Sequence, residues 1–525
     1  MLNFRIMKLS NIKFLSVAVI TFSSMLFSCS ENQMDEVNKN VDNPTEVQAR
    51  FILTDVLTRT AFSNSGGDLN TYISSYVEHE VGTHNQLWDA EHRISQPQLA
   101  STFNNTWNNI YNVLRDVNII IDKCSVGGTE EGNYKTLGIA QVMAAYNLAL
   151  LTDMFGDVPY SEALDPFGNK TPKLDKQEAL YVQIMEYLNQ ALVNLPKGDV
   201  VNVGVQDLLY GGNIPRWIKF ANGLKARYTM RLLNKVSNKT EALEKVIEYV
   251  DLSFANSTEE AAFNVYGAQN LNPLFDFQWS RDGLAASKSI ADKLLDRNDP
   301  RVRRNFVTPD WEQIDDLVVG NAAYDLLAVN GENEQVQYTY LTSMYVFSQT
   351  ASTQLLSHHE LMFLKAEAMQ RLNRSLSDIE DVLRKAVIGG IKNSEKSIAS
   401  AFSAPTVLSY GGLTETSAEI LDSDMEDYFD NEVLPLFSVD PLKEIAVQKY
   451  LAFFGASGES PEMYNDIRRW KAAGEEFIAL KNPNRFPVRL PYGNSETTTN
   501  PNVQAAYGDG LYVYSEQVWW AGGTR

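Results

Sequence analysis

The chain has 525 residues, 44% of them apolar and 21% charged, so it can bury an ample core without staples. Its formal charge of −21 argues against a nucleic-acid partner, because phosphates would be repelled. Only two cysteines are present, Cys29 and Cys124, which excludes a disulfide-dense scaffold, and no Cys-x-x-Cys redox motif occurs.

The first feature in chain order is a targeting segment. Arg5, Lys8 and Lys13 form a positive n-region, and an apolar run broken only by Ser and Thr extends from Phe14 to Phe27. That run is shorter than the roughly 20 residues a membrane-spanning helix takes, so it reads as the core of a signal peptide. Leu26-Phe27-Ser28-Cys29 closes it in the pattern of a lipobox, with a small residue before a cysteine. Residues 1–28 are therefore expected to be removed and Cys29 to be acylated, for example with palmitate, and several acyl chains on one residue anchor firmly. The polar stretch 29–43 reads as a flexible tether.

Helical periods dominate the remainder, 44–525. Thr136 to Leu151 is apolar on most sides and predicts a buried helix. Glu178 to Leu195 is amphipathic, with Asp175 and Glu178 in a capping-box-like spacing. Gly211-Gly212-Asn213 introduces a helix from Pro215 to Leu233, and Glu241 to Val250 follows. Leu355 to Leu372 is a further helix. Ser377-x-x-Glu380 predicts a capping box opening a helix to about Ile388, with Gly389-Gly390 ending it. Asp440-Pro441 opens Leu442 to Phe454, and Pro461 to Ala473 is its expected partner. The helices fall into four pairs, 136–152 with 178–195, 215–233 with 241–253, 355–372 with 377–390, and 441–454 with 461–473. Small residues at the crossings suit tetratricopeptide-like packing, although no tetratricopeptide signature is readable. Segments 45–100, 254–350, 391–440 and 474–525 lack a clean period and read as ordered loops with short strands, where a binding site would sit.

Several blocks then match a known pattern. They begin with Trp107-Asn108-Asn109-Ile110-Tyr111 with Asn118, and Asp153-Met154-Phe155-Gly156-Asp157-Val158-Pro159-Tyr160. Asp207-Leu208-Leu209-Tyr210-Gly211-Gly212 follows, with Trp217, Phe220, Ala221, Asn222, Leu224 and Arg227. Next come Asp299-Pro300-Arg301 and Glu360-Leu361-x-Phe363-Leu364-x-Ala366-Glu367-Ala368. Arg485-Phe486-Pro487-x-Arg489, Glu496, Asn500 and Val518-Trp519-Trp520 close the series. In this order, and behind the lipobox, the chain resembles the SusD/RagB family of outer-membrane nutrient-binding lipoproteins, in its starch-binding-associating branch.

The resemblance implies a mainly α-helical fold of four tetratricopeptide-like pairs with long ordered loops. It also implies a lid over a SusC-type TonB-dependent transporter, with a glycan or peptide held between the two. The acidic stretch after Cys29 resembles the export signal of lipoproteins that face the cell exterior. Most blocks read as structural: Gly156, Gly211 and Gly212 as turn residues, Trp217 and Phe220 as core.

Sugar recognition needs flat apolar faces against ring C–H groups, with amides, carboxylates or guanidinium groups for hydroxyls. Two segments supply both: Tyr72, Tyr76, His84, Asn85, Trp88 and Asp89, and then Asp276 to Asp282 with Trp279, Arg281 and Asp282. A third, Tyr338 to Phe347, carries Tyr338, Tyr340 and Tyr345. Ordinary loop packing is the competing reading of each segment, and the family does not fix its ligand residues by motif.

Catalytic and metal-binding readings fit poorly. His79 and His84 are five residues apart, where one helical face needs four, and His358-His359-Glu360 points in diverging directions. No Gly-x-Ser-x-Gly elbow, P-loop or paired-carboxylate site is readable. The acidic run Asp422, Asp424, Glu426, Asp427, Asp430 and Glu432 lacks the glycine of an EF-hand and reads as a solvated loop. The expectation is a binding protein for oligosaccharides, or alternatively oligopeptides, with no catalytic residue, metal or cofactor; a surface glycan hydrolase is the weakest reading.

Overall fold

The computed structural model describes residues 47–165, 167–335 and 339–525. The signal segment, Cys29, the tether 29–43 and Tyr338 lie outside the described residues. The chain divides at Gln48, and the account below is of the unit Ala49–Arg525.

Helix α1 (Ala49–Arg59), α2 (Asp68–Tyr76) and α3 (Asn85–His92) come first, with strand β1 (Glu80–Gly82) between the last two. Then α4 (Asn104–Cys124), α5 (Tyr134–Phe155), α6 (Gln177–Asn194), α7 (Ile214–Arg231) and α8 (Lys239–Asp251) build one half of the body. The middle holds β2 (Ala261–Phe263), α9 (Pro273–Arg281), β3 (Leu284–Ala286), β4 (Phe306–Val307), β5 (Gln313–Ile314), β6 (Thr342–Ser343) and β7 (Thr353–Leu356). The other half is α10 (His358–Arg371), α11 (Leu376–Phe402), α12 (Pro441–Ala452) and α13 (Ser460–Ala472).

The expected pairs α5 with α6, α7 with α8, and α10 with α11 pack as neighbours. In the fourth pair the buried ion pair Lys449–Asp466, at 2.6 Å, joins α12 to α13. Helix α12 also lies on α10 and α11, and α13 on α2. Helix α5 is apolar enough and long enough to cross a membrane, yet it is buried on all sides between α4 and α6, as its unbroken apolarity predicts. The mainly α fold with short strands is as expected. The strands form only small antiparallel sheets, β1 with β3, β2 with β7, and β5-β4-β6.

Helix starts follow local chemistry where a cap residue lies next to the helix. Asn213 accepts from the Arg216 N–H at 3.4 Å and Pro215 occupies the first turn. Asp440 accepts from Lys443 N–H at 3.3 Å, and Ser357 from Glu360 N–H at 3.1 Å; each such cap is worth about 1 kcal/mol. Two expected caps do not form. Asp175 instead accepts from Tyr160 N–H and Ser161 N–H, and the more distant Asp157 takes the Gln177 N–H at 2.9 Å. Helix α11 starts at Leu376, so Ser377 lies inside it and bonds the Ser375 hydroxyl at 2.8 Å.

Gly389-Gly390 does not end α11 either; the helix runs on to Phe402. A Cβ on Gly390 would stand 2.6 Å from that of Ala452, and one on Gly389 3.2 Å from that of His359. The glycines let α10 and α12 approach α11, so they mark a crossing rather than a stop. Segment 45–100, expected as loops, contains α1, α2 and α3, because Leu53, Val56 and Leu57 bury against α4 and Ile73 lies in the core. The acidic run is also helical, and four of its six carboxylates are paired: Asp422 with Lys392, Asp424 with Arg303, Glu426 and Asp430 with Arg384.

A buried ion network locks the halves together. Arg227 of α7 pairs with Glu360 of α10 at 2.5 Å, and Arg231 with Glu462 of α13. Arg469 grips Glu367 through both terminal nitrogens, at 2.8 and 2.7 Å. Burial alone would push the Glu367 carboxyl up, but Arg469 and Arg371 outweigh it and hold the group well below the usual carboxylate range. The recurrent blocks serve this framework. Asp207 accepts from the Trp217 indole at 2.7 Å, and Arg301 pairs with Asp299 at 2.6 Å. The Trp520 indole donates to Asp153 at 2.8 Å, fastening the chain's last segment to the end of α5. Trp217 and Phe220 are fully buried, as expected, and so is Cys124, whose thiol burial pushes up to about 12.

Candidate ligand-binding cleft

Helix α9 is set by Asn272. Its carboxamide oxygen caps Leu274 N–H at 2.9 Å, while its nitrogen donates to the carbonyls of Ala351 (2.9 Å) and Ala456 (3.1 Å). The helix ends where Asp282 turns left-handed at φ +46°. Residues four apart share a helical face, and here Phe275 and Trp279 stack with centroids 5.5 Å apart and planes 12° from parallel. Phe275 is buried, whereas Trp279 is 36% exposed.

Three more rings extend the stack. Trp311 lies 5.9 Å from Trp279, Tyr410 5.4 Å, and Phe347 meets Trp311 edge-on at 5.7 Å. Trp311 turns the corner between β4 and β5 at φ +66°, a backbone conformation a bulky residue rarely adopts and which costs about 1–3 kcal/mol. Trp279, Trp311 and Phe347 line a cleft of about 250 Å³ together with Thr83, Gln278 and Asp282, and Tyr410 packs on Trp279 outside that lining. Gln278 is pinned: it donates to Asp282 at 2.8 Å and accepts from the N–H groups of Gly283 (3.2 Å) and Leu284 (3.0 Å). Exposed ring faces beside fixed amide and carboxylate groups are what a sugar ring needs for its C–H and O–H surfaces.

Two acids are buried on β1 and on the helix that follows it, α3. Glu80 on β1 accepts from the Ser343 hydroxyl of β6, and burial raises its carboxyl to about 8. Burial raises Glu91 to about 7, although it accepts from Gly331 N–H at 2.8 Å and from Asn482 at 3.0 Å. A carboxyl kept protonated by its surroundings can sit in the core at modest cost.

The expected site residues separate into three groups. Trp279 and Asp282 line the aromatic cleft, as does Tyr340. Tyr72, His84, Asn85 and Arg281 border a second, polar depression of about 630 Å³. Trp88 lies in neither lining; its indole donates to the Asn333 carbonyl at 3.1 Å and its ring stacks on His92 at 4.0 Å. Tyr76 and Tyr345 are fully buried and are corrected to core residues. Tyr76 packs on Phe103, and the Tyr345 hydroxyl is occupied by Asn305 (3.0 Å) and Ser394 (2.6 Å). Phe347 ends the third expected segment, whereas Trp311 and Tyr410 lie outside all three. The available signal was a large ring isolated among turn-formers, in Thr308-Pro309-Asp310-Trp311 and Tyr410-Gly411-Gly412.

His79 and His359 serve structure. His79 is buried, with Nδ1 against the Ser460 hydroxyl and Nε2 against the Tyr450 carbonyl, both at 3.1 Å, and burial lowers it to about 3. His359 Nε2 lies 3.2 Å from Glu459. Among the described residues no group of three or more His, Cys, Asp or Glu is placed to hold a metal.

A SusD-like family model, described as starch-binding associating with outer membrane, matches residues 41–492. A crystal structure of a SusD/RagB family protein from Bacteroides thetaiotaomicron is 50% identical. That match covers 91% of this chain and 100% of the other, with a TM-score of 0.87. A chitin-binding protein shares the fold at 22% identity and a TM-score of 0.67, over 89% of this chain and 99% of its own. A SusD-like protein of Bacteroidetes does so at 19% identity and a TM-score of 0.68, over 90% and 100%. No curated protein matches the chain by sequence.

Proposed function

This chain belongs to the SusD-like family of proteins that associate with the outer membrane, and from that premise we propose that it captures oligosaccharides at the cell surface and passes them to a SusC-type TonB-dependent transporter. In this reading residues 1–28 are a signal peptide, acylated Cys29 anchors the protein facing outward, 29–43 is a tether, and 44–525 is the nutrient-binding domain. The protein binds and releases its ligand without cleaving it. The observation that carries the reading is the ring cluster Trp279, Trp311 and Tyr410 beside Gln278 and Asp282, partly exposed at the mouth of a cleft. Rings at a surface cost solvation unless a ligand covers them.

Titration calorimetry against oligosaccharide and oligopeptide panels tests it. Binding of an oligosaccharide that weakens in Trp279→Ala supports the reading. Binding of peptides alone replaces the ligand class, and turnover of a labelled glycan by pure protein refutes the non-enzymatic role. Co-purification of a barrel transporter with the detergent-extracted protein, lost when Cys29→Ala frees it from the membrane, tests the partner and the anchor.

A further inference from the structure

The polar depression on the far flank of α9 differs in chemistry from the aromatic cleft. Phe277, Ser280 and Arg281 border it, while Gln278, Trp279 and Asp282 face the cleft, so the last turn of one helix separates the two. Its lining contains no carboxylate, although the chain holds 66 acidic residues against 45 basic ones. Arg281 forms no ion pair among the described residues, and its guanidinium lies 5.7 Å over the ring of Phe277, which borders the same depression. His84 Nδ1 is buried there without a hydrogen-bond partner. Asn85, exposed and part of the lining, is held in the left-handed region at φ +47°. The Tyr72 hydroxyl engages Gln86 Oε1 at 3.3 Å, leaving the Gln86 amide nitrogen to donate outward. Asp68, near Tyr72, is engaged by Asn105 at 3.1 Å.

A concave surface that offers a guanidinium fork and amide donors, with no carboxylate in its wall, is complementary to an anion. We propose that this depression is a second subsite that takes an acidic substituent, a carboxylate or sulfate, of the glycan whose neutral rings lie in the aromatic cleft. The ligand is thus an acidic oligosaccharide that straddles the end of α9. This rests on the glycan reading of the cleft and narrows it.

The test compares neutral oligosaccharides with oligogalacturonides and sulfated galactan oligomers of equal length, by calorimetry on the full mature chain. Acidic oligomers should bind more tightly, and Arg281→Gln should weaken them about tenfold or more while leaving neutral ones within about twofold. The advantage should shrink between about 0.05 and 0.5 M salt. Asn85→Gly keeps the left-handed backbone and removes the amide, and should weaken acidic oligomers alone. Carboxylated and sulfated oligomers tell the two anions apart.

Acidic oligomers binding no better than neutral ones, or Arg281→Gln weakening both alike, overturns the subsite and leaves the cleft intact. Acidic binding that responds to Arg281→Gln but not to Trp279→Ala keeps the subsite and overturns the aromatic cleft. No glycan binding of either kind overturns both. Polyglutamate binding that depends on Arg281 makes the ligand an acidic peptide and overturns the glycan assignment.

Discussion

Trp279→Ala isolates the outer face of the aromatic stack. Phe275 covers the indole's inner face at 5.5 Å, and 36% of the residue remains accessible to a ligand. With a whole aromatic side chain offering roughly 150–250 Å², that leaves about 50–90 Å² to be covered. At about 25 cal/mol per Å² the contact is worth about 1–2 kcal/mol. The dissociation constant of the best oligosaccharide should therefore rise about five- to thirtyfold. Calorimetric titration reads the change, and thermal melting checks that the variant is folded. A folded variant that binds within twofold of the parent would refute the assignment of Trp279 as a platform.

Four other outcomes follow from named contacts. Trp311→Gly removes a ring from the cleft but relieves the φ +66° backbone, so it should lose binding while costing less stability than Trp311→Ala by about 1 kcal/mol in urea melts. Glu367→Ala strips the buried Arg469 of its bidentate partner and should cost about 3–5 kcal/mol; a loss below about 0.5 kcal/mol would mean that Asp466 compensates fully. Folded Glu80 keeps its proton to about pH 8, whereas the unfolded chain sheds it near 4.5, so stability should fall as pH rises between those values. Glu80→Gln should flatten that decline by up to about 5 kcal/mol, and parallel pH curves for the two proteins would count against it. Gly390→Ala improves helix propensity by about 1 kcal/mol, yet its methyl would meet Ala452, so the net effect should be destabilising by about 1 kcal/mol or more, contrary to propensity alone.

The candidate site was half legible. Trp279, Asp282 and Arg281 stand together on one short segment, and a ring beside polar groups is visible there without a structure. Tyr76 and Tyr345 have the same local look, but tertiary packing buries both, one on Phe103 and the other on Asn305 and Ser394. Trp311 and Tyr410 join Trp279 only because β4–β5 and the loop after α11 fold toward α9; their rings share no local period with it.

What the amino-acid order determined by itself is the set of helices whose burial repeats within a few turns, α5 above all, and caps made by adjacent residues such as Asp440 and Asn213. The period of the chain records which face is buried, and that information is local. Tertiary structure alone decided that Gly389-Gly390 is a crossing, that Asp157 rather than Asp175 caps α6, and that two chemically unlike hollows flank α9. Each of those depends on atoms brought together from distant parts of the chain, and no short window of sequence contains both partners.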